Sequence, residues 1–420
     1  HFRSSHMPPL DARQVHTESR RPKPAPAMYV LRAVAVFLAL SPSSHAWSNV
    51  DVLDLAGTPL KTAGLGFAGG FAAGGFVYLT PYQRVKGVLV GKLMRFNQTN
   101  WTQYEVLDLK AATGLAGFSG GLAYGDYAYF TATGEYQGAF VRVNLKDFNS
   151  VDVLDLKQTD PNLLNLGVVW RVGEHAYTVT GTPEVVRVVR INLGSFGEVQ
   201  QLNLKDVDPA LAYTKGTFTD SKRYGFSIHQ GKVVRFGLAG FPDPSSVSVL
   251  DLRAIIGLDF LGRYTNFEAG FAHGAHGYVI HLLGVLVRFD LEAFDMAPPQ
   301  WLDLREHGGG VAASVFADRT YAYVTPTTGN TVVVRVGLAS FGGASPDIKL
   351  LPLPAGTSDV THWEGFHDGA QAYLVPTTPS DGSNYTTRLD RVLRFAASPP
   401  PKCTTISREM LEKYNAQRCG

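Results

Sequence analysis

Between residues 50 and 396, apolar and polar residues alternate in short runs interrupted by Gly, Asp, Asn and Pro. Alternation with a period of two, carried by β-branched and aromatic residues, predicts strands joined by tight turns. The runs also recur. The tetrapeptide Val52-Leu-Asp-Leu55 returns at 106–109, 153–156, 201–204, 249–252, 301–304 and 350–353, in steps of 54, 47, 48, 48, 52 and 49 residues. A second marker, Leu93-Met-Arg-Phe96, returns at 140–143, 188–191, 233–236, 286–289, 333–336 and 392–395. A third block is clearest in Gly117-Phe-Ser-Gly-Gly-Leu-Ala-Tyr-Gly-Asp-Tyr-Ala-Tyr-Phe130.

Each unit therefore reads as four strands. Strand a is the Gly-Phe-x-Gly-Gly piece and strand b the Tyr-x-Tyr-Phe piece. Strand c is the Val-Val-Arg-Phe piece and strand d the Val-Leu-Asp-Leu piece. Four strands in 40–50 residues fit one blade of a β-propeller, and seven copies predict a seven-bladed ring. Gly in strand a fits inner strands that crowd together round an axis. The first marker in the chain belongs to strand d and the last to strand c. The N-terminal strand 50–55 should thus complete the last blade beside 392–395, which closes the ring and leaves no open stack.

Strand c carries an Arg in every copy, and strand d an Asp in most. A cross-strand pair in each blade is expected, namely Arg142–Asp155, Arg235–Asp251 and, across the closure, Arg394–Asp54. Near-identical copies assign these residues a structural role.

These motifs resemble secreted seven-bladed β-propellers of the kelch and WD-repeat kind. No named family matches: Gly120-Gly121 and Tyr127 lack the kelch Trp, and neither the Trp-Asp ending nor the early Gly-His of WD repeats recurs. The resemblance implies a ring with a central channel. Its d–a and b–c connections would share the rim that usually binds ligands. No functional residue transfers with it.

Ahead of the repeats, residues 1–27 are polar and Pro-rich, and read as disordered upstream sequence. Residues 28–46 read as a secretory signal: Tyr29–Arg32, an apolar run Ala33–Leu40, then Ser44-His45-Ala46 before Trp47. The propeller is expected over 47–398. A Pro-rich linker and tail, 399–420, would be closed by a Cys403–Cys419 disulfide. Asn97, Asn100 and Asn384 head glycosylation triplets. All three features point to a secreted or extracellular protein, or one in the lumen of the secretory pathway.

The chain's formal charge is +2. Without residues 1–46 it is 32 basic minus 34 acidic residues, or −2. That balance, with only 18% charged residues, excludes a polyanion-binding footprint, so no nucleic-acid partner is expected. The apolar run is too short to span a membrane. No phosphate loop, calcium loop or serine elbow is present, so no cofactor is implied. His273-Gly-Ala-His276 has metal-like spacing but falls on a hairpin turn, and no metal is expected there.

Specificity should be written in the connections. The candidate rim is Trp170, Arg171, Tyr264, Asn266, Glu268, His307, His362, Trp363 and Glu364. The first reading is a non-catalytic scaffold for a protein, peptide or glycan; oligomeric state is left open. The second is a carbohydrate-active hydrolase or lyase using Glu268, Glu364 and His362, because two carboxyls near aromatic rings can grip and cleave a sugar.

Overall fold

The computed structural model of the chain describes residues 50–55, 58, 60, 66–85, 88–133, 137–253, 266–327, 330–355, 357, 363–377 and 391–397. The calls on 1–27, 28–46 and 399–420, with Cys403, Cys419 and Asn384, lie outside the described residues. What is described is a ring of seven four-stranded antiparallel sheets. Strand a is Phe67–Ala73 in blade 1, Phe118–Tyr124 in blade 2 and Trp170–Val172 in blade 3. It is Gly216–Thr219, Phe267–His273, Ala312–Ala317 and Trp363–His367 in blades 4 to 7. These strands lie side by side round the whole circle, with blade 7 against blade 1.

Closure follows the expected plan. Strand Asp51–Asp54 pairs antiparallel with Arg391–Ala396 and becomes the outer strand of blade 7, with Asp51 opposite Arg394 and Asp54 opposite Arg391. A four-stranded meander puts the d–a and b–c connections on one face and the a–b and c–d turns on the other.

The blades adhere through two repeated devices. The first is a stacked ring pair between strands a and b. Phe71 lies on Tyr78, Trp170 on Tyr177, Phe218 on Phe226, Phe271 on Tyr278, Phe316 on Tyr323 and Phe366 on Tyr373, with centroids 4.5–5.1 Å apart. Blade 2 places Leu122 opposite Tyr129. The strand-a glycines make room for these rings. A Cβ on Gly70 would lie 2.6 Å from the Phe366 ring, and one on Gly270 would lie 2.7 Å from Phe218. One on Gly365 would meet the Phe316 ring as well. The crowding that requires glycine therefore comes from the preceding blade's ring and not from the channel axis.

The second device is an outer girdle. In the six blades with an intact c–d connection, the residue six after the strand-c Arg is aromatic: Trp101, Phe148, Phe196, Phe241, Phe294 and Phe341. Each ring packs on the Arg of the preceding blade. Arg394, Arg95, Arg142, Arg190, Arg235 and Arg288 lie 4.1–5.0 Å from those centroids, taken in the same order. Arg95 also donates to Leu145 O at 2.7 Å, Arg235 to Leu291 O at 2.8 Å and Arg394 to Gln98 O at 2.8 Å, all in the next blade. A guanidinium can stack and donate in its own plane at once, which an ammonium cannot.

The expected Arg–Asp pairs are corrected by the register. Arg142 faces and bonds Asp152, while Asp155 lies opposite Ala139. Arg394 bonds Asp51, and Asp54 faces Arg391. Arg235 faces Ser248, whereas Asp251 lies opposite Lys232 and pairs with Arg253. The two markers recur at a fixed spacing, but the c–d turn uses only enough chain to set Arg opposite a residue three short of the marker Asp. That Asp has another task. Asp155 accepts from Lys157 N, Asp108 from Ala111 N, Asn203 from Lys205 N and Asp303 from Arg305 N, each capping the helical turn that follows strand d.

Candidate binding face and channel mouth

Strand a begins at the face shared by the d–a and b–c connections, so its first residues ring one mouth of the channel. Blade 5 has a β-bulge there. Phe267 pairs with His281 and Ala269 with Ile280, leaving Glu268 as the extra residue. A bulge re-aims the side chain it carries. Blade 7 has no bulge, and Glu364 pairs directly with Val375.

The two carboxyls sense each other. Burial pushes the Glu364 carboxyl up to about 7, a hydrogen bond from Ser314 of blade 6 opposes the rise, and the Glu268 charge adds to it. Burial also raises Glu268, against the opposing charge of Lys215 in blade 4, whose Nζ lies 3.8 Å away. Four blades thus contribute to one polar cluster of two carboxyls, one ammonium and one hydroxyl. Burial thus raises both carboxyls, and it brings Glu364 into the range where a carboxyl can give or take a proton near neutrality. Among the described residues, no group of three or more His, Cys, Asp or Glu is placed to hold a metal.

The other expected rim residues scatter. Asn266 precedes strand a of blade 5, and its carbonyl accepts from Leu282 N at 2.9 Å. His307 ends the exposed turn Leu304–His307 on the same face. Trp363 opens strand a of blade 7 opposite Pro376. Tyr264 and His362 lie outside the described residues. Two assignments are corrected. Trp170 is a core residue, 9% exposed, stacked on Tyr177 and packed against Phe236 of blade 4. Arg171 bonds Gly173 O at 2.8 Å at the a–b turn, on the opposite face. A strand only three residues long carries its second residue close to the far turn. Sequence reading missed Lys215 and Ser314, since neither stands in a repeated motif. It also missed where the exposed apolar residues gather. Of the ten large apolar side chains exposed among the described residues, Val88, Val168, Val207, Tyr213 and Val311 lie on the d–a/b–c face. Val52, Val153, Trp301 and Leu350 lie on outer strands, and only Met296 on the opposite face.

The chain is a seven-bladed β-propeller of four-stranded sheets. No family model matches it, and no curated protein matches it. Solved propellers resemble it at low identity. The WD40 repeats of RRP9 share 10% identity at a TM-score of 0.58, over 83% of this chain and 98% of that one. A chain of the mitotic checkpoint complex shares 9% at 0.58, over 92% and 99%. PorZ, an essential bacterial surface component of the type-IX secretion system of Porphyromonas gingivalis, shares 9% at 0.50. That match covers 77% of this chain but 36% of PorZ. At such identities the likeness establishes the fold alone. No helix among the described residues is long and apolar enough to cross a membrane.

Proposed function

We propose that this protein is a secreted, non-catalytic binding scaffold whose d–a/b–c face receives a protein, peptide or glycan partner. The observation that carries the reading is that five of the ten exposed large apolar side chains among the described residues, Val88, Val168, Val207, Tyr213 and Val311, stand on connections of that face, against one on the opposite face. Apolar groups grouped on one face of a folded domain mark interaction sites. Propellers of this architecture, such as the WD40 repeats of RRP9, support the reading by shape.

A second reading rests on Glu364. A carboxyl held near 7 beside a second carboxyl is what a sugar hydrolase needs in its acid, with Glu268 as partner. One experiment separates the two. The form beginning at Trp47 is applied to peptide and glycan arrays and incubated with chromogenic glycosides, together with Glu268→Gln and Glu364→Gln. Capture without turnover is expected. Turnover that disappears in Glu364→Gln replaces the scaffold with the enzyme. Export is tested by expressing residues 28–420 in a eukaryotic secretory host. Cleavage before Trp47, a Cys403–Cys419 disulfide and a glycan on Asn97, Asn100 or Asn384 are the expected products.

A further inference from the structure

The connections from blade 2 to blade 3 and from blade 3 to blade 4 share one construction. In the first, Leu163 N donates to Asp160 O at 3.0 Å, and in the second Leu211 N donates to Asp208 O at 3.1 Å. Each connection buries that leucine and pairs that aspartate with the first residue of the next strand c, Arg187 or Lys232. Each then joins strand b of its blade, where Gly167 N donates to Val179 O and Lys215 N to Ile228 O, both at 2.8 Å. The next residue on strand b is Thr180 in blade 3 and His229 in blade 4. Both are buried, and only the second can titrate.

Thr180 is satisfied as it stands, accepting from Arg187 N at 2.9 Å. His229 is 1% exposed, and its Nε2 lies 2.9 Å from Ser227 Oγ. Its Nδ1 meets no hydrogen-bond geometry, although the Ala212 backbone of the connection is close enough to favour the charged ring. Burial dominates and keeps the ring neutral down to about 4, against 6.5 in water. Two charges act on it in opposite senses: Asp208 of the connection favours protonation and Lys232 of strand c opposes it. Asp251 faces Lys232 from strand d, and the Arg253 charge reaches Asp208. A protonated His229 is therefore a second buried cation beside Lys232, and Asp208 is already paired.

Hydrating such a cation requires one of its walls to move. Strand b is paired along both edges, with strand a and with strand c. The connection is tied to blade 4 more sparsely, by Lys215 N, the Asp208–Lys232 pair and Leu211 in the core shared by blades 3 and 4. Local opening follows the element with the fewest such ties. We propose that His229 is an acid-released latch: on taking a proton from solvent it frees residues 205–214 from blade 4 while the ring stays closed. The freed segment carries Val207 and Tyr213, two of the exposed apolar residues of the d–a/b–c face, so acid would also dismantle that part of the binding face. This consequence rests on the scaffold reading, and the latch itself does not.

Opening returns the imidazole to water. A base whose folded value is lowered favours the open state as pH falls below 6.5, and the effect is complete below about 4. Hydrogen exchange of the full chain, read by mass spectrometry, tests this. Protection of 205–214, corrected for the intrinsic pH dependence of exchange, should fall about twentyfold from pH 7 to pH 5. Protection of the sister segment 157–166 should hold. His229→Thr installs the residue that blade 3 carries, and His229→Gln keeps a polar side chain that takes no proton; the acid fall should vanish in both. Equal falls in the two segments, no fall in 205–214, or a fall that persists in His229→Gln overturns the latch. The comparison of the two segments in wild type stands even where a variant fails to fold. Peptide and glycan arrays read at both pH values separate the scaffold from the latch. Capture lost at pH 5 in wild type and kept in His229→Gln joins the two. Capture kept by wild type at pH 5 removes the blade 3–4 connection from the binding face, and no capture at pH 7 overturns the scaffold reading alone.

Discussion

Two regions of the ring are built by the same strands under opposite rules. In the outer girdle, six blades place an aromatic residue six positions after the strand-c Arg, and each ring meets the Arg of the preceding blade. At the channel mouth, the residue three before each stacking position is Ala68, Ser119, Gly167, Lys215, Glu268, Ala313 and Trp363 in turn, with only Ala recurring. Repetition marks what every blade needs to hold its neighbour. Its failure marks positions that packing leaves free, and there the charged residues Lys215 and Glu268 stand.

The sharpest way to break that contrast is to open the ring. Removing residues 50–55 strips blade 7 of its outer strand and takes Asp51 from Arg394. A single cooperative melt should give way to a broad transition at lower temperature, with a loss approaching the whole of a domain stability of about 5–15 kcal/mol. A sharp melt that survives this deletion shows that the girdle holds without closure. Next comes Phe294→Ala in the girdle. Phe294 is 0% exposed and touches Phe226, Phe289 and the Arg235 guanidinium. Truncation should cost about 3–5 kcal/mol by chemical denaturation, yet leave partner capture at the mouth intact once the protein is folded.

The mouth behaves differently because its charge is strained. Glu364 binds its proton more tightly folded than unfolded, with a carboxyl raised from 4.5 to about 7. The folded state therefore holds the extra proton between those values, and stability falls as pH rises through that window and levels off above it. His229 sets the acid side. Burial lowers it from 6.5 to about 4, so stability falls again as pH drops below 6.5. Stability should peak between roughly pH 5 and 6.5. Glu364→Gln should flatten the alkaline limb, gaining up to about 3 kcal/mol at pH 8 and little at pH 5. If thermal melts of this variant follow the wild-type pH profile, Glu364 is not the strained group.

The fold was legible because its cause is periodic. Seven copies of Val-Leu-Asp-Leu and Val-Val-Arg-Phe, out of phase at the two ends, forced both the blade number and the closure of 51–54 on 391–394. The girdle was equally legible and went unread: Phe148, Phe196, Phe241 and Phe294 stand at a constant distance from their own Arg, but each serves the Arg of another blade. Glu268 and Glu364 could be placed at the mouth by their position before Gly-Phe. Lys215 and Ser314 could not, because what brings them there is the adjacency of blades 4 to 7. Trp170 was misplaced because a Trp near a connection reads alike whether it packs on Tyr177 or faces water.

The register of the outer strands gives the smallest effect and the cleanest contrast between two aspartates three residues apart. Asp152 lies opposite Arg142 and bonds its Nε at 2.8 Å, with its side chain 56% exposed. Asp155 accepts from Lys157 N at 3.1 Å at the start of the helical turn Leu156–Gln158. An exposed ion pair contributes about 0.2–1 kcal/mol and weakens in salt. A cap contributes about 1 kcal/mol, because it satisfies a backbone donor that otherwise has only water. Asp155→Ala should therefore destabilise more than Asp152→Ala. In a double-mutant cycle Arg142 should couple to Asp152 and not to Asp155, and only the Asp152 coupling should shrink in 1 M salt. Coupling of Arg142 to Asp155 instead would restore the thirteen-residue pairing and shift the outer strand of blade 2 by three residues.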